Sequence, residues 1–197
     1  MPDAKEIRLV GPCGAGKSTI GALLAERLEV VFLDLDRQLA GRVGDLSEFI
    51  GQHGYDLYAR ENIETYCSLF CRGIQPGVIA LSSGFMTYAR DTHPDYSRVR
   101  REIEQHPNTL VLLPSLDREV CVAETVRRQV ARPFGRSSVK EEAVIRARFE
   151  IYMAVPARKI ETMRPVTTVV DDIVATLALT KHASTESADR TLGVTLD

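Results

Sequence analysis

Short apolar runs alternate with amphipathic stretches, a glycine-rich loop separates the first run from the first amphipathic stretch, and no repeat or linker divides the chain. Together these predict an α/β fold, a three-layer sandwich in which about five parallel strands carry helices on both faces. In such a sheet, ligands gather at the carboxyl ends of the strands.

The first strand is predicted over Ile7 to Val10, and the loop after it fits the phosphate-binding pattern G-x-x-x-x-G-K-[ST]. Gly11 opens the pattern; Gly16, Lys17 and Ser18 close it. Glycines such as Gly11, Gly14 and Gly16 let backbone N–H groups crowd around a polyphosphate, and the following helix points its positive end at the anion. Nucleotide phosphates are expected to dock over Gly11 to Thr19, including Ala15, with Lys17 neutralising the terminal phosphates and Ser18 holding Mg²⁺. This loop makes the sandwich P-loop NTPase-like.

Ile20, Leu23, Leu24 and Leu28 recur at helical spacing, so a helix leaves the loop. Val30 to Asp36 reads as a buried parallel strand ending in two aspartates. Leu46, Phe49 and Ile50 suggest a short helix, and residues 55 to 72 a longer one. Val78 to Leu81 is a third strand, Tyr96 to Gln105 a charged, exposed helix, and Leu110 to Leu113 a fourth strand stopped by Pro114. Asp117 caps a helix that runs to about Val130, and residues 131–137 are expected to form a mobile lid loop. Ser138 and Glu141 form a capping box for a helix to about Ala154. Lys159 to Thr162 adds a short fifth strand, and Val169 to Leu179 a last helix. One domain over residues 1–180 is expected, with 181–197 a weakly ordered tail.

Composition sets bounds on function. A net charge of -2 leaves no electrostatic footprint for nucleic acid or an anionic membrane. No apolar run approaches the ~20 residues of a membrane span. The polar start, Met1 to Glu6, lacks a signal peptide's apolar stretch, so the protein is expected in the cytoplasm, as a monomer. Four cysteines are too scattered for a disulfide framework. Cys67 and Cys71 share a helix face and are expected to pack there, while Cys13 lies inside the phosphate loop at a position that tolerates many side chains.

Three constellations bear on chemistry. Asp34 and Asp36, two apart on a strand, would face one side ~7 Å apart. Asp34 would hold Mg²⁺ through water, while Asp36 orients the acceptor hydroxyl and takes its proton. Arg132, in Arg132-Pro133-Phe134, would swing over the triphosphate and stabilise the transferring group, with Arg127, Arg128 and Arg136 as competitors. Arg148 lies four residues from Tyr152, on one helix face, and has the planar fork that grips a carboxylate.

Taken together, from about Ile7 to Leu179, these residues resemble the shikimate kinase family. The phosphate loop with Gly21 after it, Phe32-Leu33-Asp34-Leu35-Asp36, Arg132-Pro133-Phe134, and Arg148 with Tyr152 fall in the family's order. Lys159-Ile160-Glu161-Thr162 followed by Arg164-Pro165 is similar to its adenine-contacting segment. The resemblance implies an ATP- and Mg²⁺-dependent kinase of a shikimate hydroxyl, in aromatic amino acid biosynthesis, with Lys17, Asp36 and Arg132 catalytic. It also implies that Arg164 and Pro165 contact the nucleotide and that Asp36, Ser83, Gly84 and Arg148 contact the acceptor.

Two positions depart from the family pattern. Ser82, Ser83 and Gly84 stand where three successive glycines are usual, and Ala59 stands at the substrate arginine in Tyr58-Ala59-Arg60-Glu61-Asn62. Arg60 replaces that arginine only if the helix is rotated, since one residue is about 100° of turn. The alternatives are a kinase of another small polyol or sugar acid such as gluconate, or a nucleotide-binding protein without catalysis. The retained Lys17, Ser18, Asp34 and Asp36 argue against the latter, and no N-K-x-D sequence supports a GTPase.

Overall fold

The computed structural model describes residues 6–71, 73, 77–130 and 138–177. Its elements in chain order are β1 (Ile7–Val10), α1 (Lys17–Leu28), β2 (Phe32–Asp34), α2 (Leu35–Val43), α3 (Leu46–His53), α4 (Tyr55–Cys71) and β3 (Val78–Ala80). A 3₁₀ turn over Phe85–Thr87 follows, then α5 (Tyr96–Gln105), β4 (Thr109–Leu113), α6 (Arg118–Val130), α7 (Ser138–Ala154) and β5 (Arg158–Glu161). Residues 166–177 are helical and form α8. The predicted lid, 131–137, and the tail lie outside the described residues.

All five strands are parallel, in the order β2-β3-β1-β4-β5. The strand that leads into the phosphate loop is therefore the middle one, with Leu9 aligned to Ala80 on one side and to Leu110 on the other. Successive side chains on a strand point to opposite faces. Ile7, Leu9, Val78, Leu110 and Leu112 thus pack with Ile20 and Leu24 of α1 and Val169, Val170 and Ile173 of α8. Val10, Ile79, Val111 and Leu113 face the other way, into a core built with Leu35 and Leu39 of α2, Ile63 and Tyr66 of α4, Val99 and Ile103 of α5, and Phe149 and Tyr152 of α7. Helices cover both faces, as the alternation in sequence predicts.

The structure corrects the segment after α1. The strand does not run from Val30 to Asp36: it covers Phe32 to Asp34, because Val30 and Val31 are 37% and 59% exposed and Asp34 ends the strand by capping a helix. Asp34 Oδ1 accepts from the Arg37 N–H at 3.2 Å, which satisfies one of the unpaired donors of the first turn. Asp36 consequently lies in the first turn of α2, not on a strand. Helix α2 is silent in the sequence because Leu35 and Leu39 are its only fully buried positions, and two residues give little periodic signal.

Two smaller expectations also change. α5 is charged on its outer side only; Tyr96, Val99 and Ile103 are buried. Cys67 is half-buried against the core, whereas Cys71 on the same helix is exposed.

The central place of β1 constrains the residue at its end. Gly11 has φ +149°, and a Cβ there would lie 2.2 Å from the carbonyl oxygen of Leu112 in β4. Substitution therefore meets both an unfavourable backbone and a backbone atom that cannot move without disturbing the sheet. Gly11→Ala is expected to lower the free energy of unfolding by about 2–4 kcal/mol, measurable by urea denaturation.

Candidate active site

The loop between β1 and α1 curls back on its own lysine. Lys17 Nζ donates to the carbonyls of Gly11 at 2.7 Å and Pro12 at 2.9 Å. The loop closes into α1 at Gly16, whose φ of +89° lets the Ile20 N–H reach its carbonyl at 2.8 Å. Burial lowers the Lys17 pKa, while Cys13, Asp36 and Asp34 act in the opposite direction and Arg148 in the same one. The phosphate-binding cation, both aspartates and the predicted carboxylate-binding arginine therefore share one electrostatic neighbourhood.

The end of β2 meets the start of α1. Ser18 Oγ donates to Asp34 Oδ2 at 2.5 Å, which joins the two residues predicted to serve a metal. A hydroxyl and a carboxylate are hard oxygen donors of the kind Mg²⁺ takes, with water and phosphate oxygens completing its shell. The pair fits such an ion.

On the acceptor side, Asp36 Oδ1 accepts from the Tyr58 hydroxyl at 2.9 Å and from the Ser82 hydroxyl at 2.6 Å. Both bonds fall on one oxygen, Oδ1. Burial, followed by the negative charge of Asp36, raises the Tyr58 phenol well above its ordinary value, which keeps it a donor. Arg148 Nη2 donates to the Tyr55 hydroxyl at 2.9 Å. Beneath that pair lies Gly84, where a Cβ would be 2.1 Å from the Tyr55 hydroxyl, 3.0 Å from a Tyr88 ring carbon and 3.3 Å from Arg148 Nη2. Tyr152, fully buried on α7, donates to the Ser83 carbonyl at 2.8 Å and fixes the loop after β3 against the helix that carries Arg148.

Most of the predicted site residues gather at the carboxyl ends of β1, β2 and β3. Asp34, Asp36 and Arg148 lie within electrostatic reach of Lys17, Ser18 bonds Asp34, and the Ser83-Gly84 backbone packs against α7 beside Arg148. Arg60 does not join them: it is exposed on α4 while Ala59 and Tyr58 face inward, so the helix is not rotated to present it in place of the alanine. Arg164 and Pro165 are exposed just beyond β5, where Arg164 Nη1 pairs with Asp172 Oδ2 on α8 at 2.6 Å. Arg132 lies outside the described residues.

Tyr55, Tyr58 and Asn62 are site residues that sequence reasoning does not single out, although their i, i+3, i+7 spacing marks one face of α4. Arg128, in sequence only a competitor for the lid role, has a place of its own. It donates through Nη1 to the Gly14 carbonyl at 2.9 Å and through Nη2 to the Thr162 carbonyl at 3.4 Å, and its Nε pairs with Glu124 at 2.6 Å. It thus ties the phosphate loop to the segment after β5.

Comparison with known proteins places this geometry in a family. A family model described as shikimate kinase matches residues 13–178. The shikimate kinase of Pseudomonas entomophila (strain L48) is 31% identical over 88% of this chain and 96% of its own. Among solved structures, shikimate kinase from Acinetobacter baumannii, in complex with shikimate, aligns with a TM-score of 0.67 at 24% identity, over 91% of this chain and 94% of that one. A gluconokinase from Sinorhizobium meliloti 1021 aligns with a TM-score of 0.59 at 18% identity, over 93% and 98%. At these identities the structural likenesses speak for the fold.

The buried lysine has a measurable signature. Folded Lys17 loses its proton at lower pH than it does in the unfolded chain, so between those values the unfolded state holds the extra proton and stability rises with pH. In nucleotide-free protein, unfolding free energy measured at alkaline pH below the ordinary lysine value should climb more steeply with pH in wild type than in Lys17→Met. Identical slopes would show that burial does not perturb this group.

Proposed function

Because the chain belongs to the shikimate kinase family, we propose that it transfers the γ-phosphoryl group of ATP to a hydroxyl of shikimate, giving shikimate 3-phosphate and ADP. The single observation that carries this reading is that Asp36 and Arg148 both lie within electrostatic reach of Lys17.

Binding and positioning supply most of the chemistry in phosphoryl transfer. The loop amides and Lys17 hold the β- and γ-phosphates. Ser18 and Asp34 would hold the Mg²⁺ that accompanies the nucleotide, an ion that neutralises charge on the transferring group. Asp36 Oδ2 orients the acceptor hydroxyl and receives its proton as the new P–O bond forms. Arg148, steadied by the Tyr55 hydroxyl, forks onto the shikimate carboxylate, and the bare Gly84 leaves room for that Tyr55–Arg148 pair. Arg132, from the segment 131–137, closes over the triphosphate, with Arg164 and Pro165 beside the adenine. We take the protein to act as a cytoplasmic monomer of one domain.

With Ala59 buried and Arg60 exposed, Arg148 is the arginine this reading assigns to the acceptor carboxylate. The reading is therefore tested with more than one hydroxy acid. In a coupled assay of ADP release, shikimate should support turnover and gluconate should not; the reverse would reassign the acceptor. Asp36→Asn should lower kcat by about 10²–10³-fold and leave the KM for ATP nearly unchanged. Arg148→Ala should raise the KM for shikimate by about ten- to a hundredfold, and an unchanged KM would remove Arg148 from the carboxylate.

A further inference from the structure

Asp36 sits in the first turn of α2, and a carboxylate on rotatable bonds needs partners to fix which oxygen meets an acceptor. The fixing comes from β3 and α4. Ser82, 1% exposed, donates to Asp36 Oδ1 at 2.6 Å and accepts from Asn62 Nδ2 at 2.8 Å. Asn62, wholly buried, accepts in turn through Oδ1 from the Tyr88 hydroxyl at 3.3 Å.

The direction of this hydrogen-bond chain is set by what each group has to give. A serine hydroxyl carries one proton, and an amide has distinct donor and acceptor ends. Tyr88 donates to the amide oxygen, so the amide nitrogen is the end that faces Ser82. Ser82 then receives a bond from Asn62, and its single proton is aimed at Asp36. Burial raises the Tyr88 phenol well above its ordinary value, which keeps the head of the chain a donor. Reversing the amide would turn the serine proton toward Asn62 and leave the carboxylate with Tyr58 alone. Tyr58 and Ser82 converge on Oδ1 of Asp36, and none of the hydrogen bonds described falls on Oδ2.

We propose that Ser82 is a positioning residue for phosphoryl transfer: backed by Asn62 and Tyr88, it holds Oδ1 of Asp36 so that Oδ2 faces the acceptor hydroxyl. This rests on Asp36 being the proton acceptor in the proposed reaction. Ser82 acts through the aspartate. Its contribution belongs to the transition state, because only there is the orientation of the carboxylate coupled to proton transfer.

Ser82→Ala removes the donor, and its methyl group resists replacement by water. It is expected to lower kcat about ten- to a hundredfold, with KM values for ATP and shikimate close to wild type. Asn62→Ala should produce a similar loss, and the double variant should be no slower than the slower single variant, since both break one chain. Ser82→Cys, a close match in volume with a weaker donor, should fall between wild type and Ser82→Ala; it also reads the same step if the alanine variant does not fold. A Ser82 variant that folds and turns over at the wild-type rate overturns the inference, as does a loss carried wholly by KM or losses that multiply in the double variant. Asp36→Asn, assayed alongside, separates the two readings. Full turnover in Asp36→Asn removes the base itself. A slow Asp36→Asn beside a fast Ser82→Ala removes only the positioning role.

Discussion

The constraint on which the rest depends is the placement of β1 between two parallel neighbours. Both edges of β1 are hydrogen-bonded, to β3 and to β4, and both of its faces are buried, so the chain that leaves it can move in one direction only, over the carboxyl end of the sheet. Gly11 makes that departure possible by allowing the Leu112 carbonyl to approach where a side chain would otherwise stand. The phosphate loop, the orientation of α1 and the position of Lys17 are consequences of this turn. β2 and β3, lying on one side of β1, then deliver Asp34 and the Ser82-Ser83-Gly84 loop to the same edge.

The site concentrates charge in a buried place, and the protein offsets that cost by sharing groups. Asp34 caps α2 and accepts from Ser18; Arg128 pairs with Glu124 and also tethers the loop at Gly14. Exposed pairs elsewhere, such as Arg98 with Asp95 and Glu102, carry little stability because water screens them. Asp34, Asp36, Asn62, Ser82 and Arg128 each have more than one partner.

How much of this is legible in the sequence depends on how local the signal is. The phosphate loop is contiguous, so its residues and their roles can be read from spacing alone. β3 and β4 are buried on both faces and announce themselves as apolar runs. Asp36 is picked out in the sequence but given the wrong backbone: a strand running from Val30 through Asp36 looks continuous because nothing in the letters reports that Val31 is exposed or that Asp34 folds back to cap a helix. Arg60 fails for a geometric reason, as the burial of Tyr58, Ala59, Asn62 and Ile63 fixes which face of α4 turns inward. The link from Arg128 to Gly14 joins residues 114 apart in sequence, and that from Asn62 to Ser82 joins residues 20 apart; periodicity carries no information about either. Long-range polar pairing is decided by the fold as a whole, and it is there that sequence reasoning falls silent.

The tight fit at Gly84 makes the loop after β3 a poor place for change. The loop after β3 is already at contact with Tyr55, Tyr88 and Arg148, so any side chain added there displaces those groups. Tyr55, at 41% exposure, is by contrast a long side chain that can be shortened without moving backbone. A lineage or a designer altering the surroundings of Arg148 would find its accessible steps on α4 rather than at Gly84.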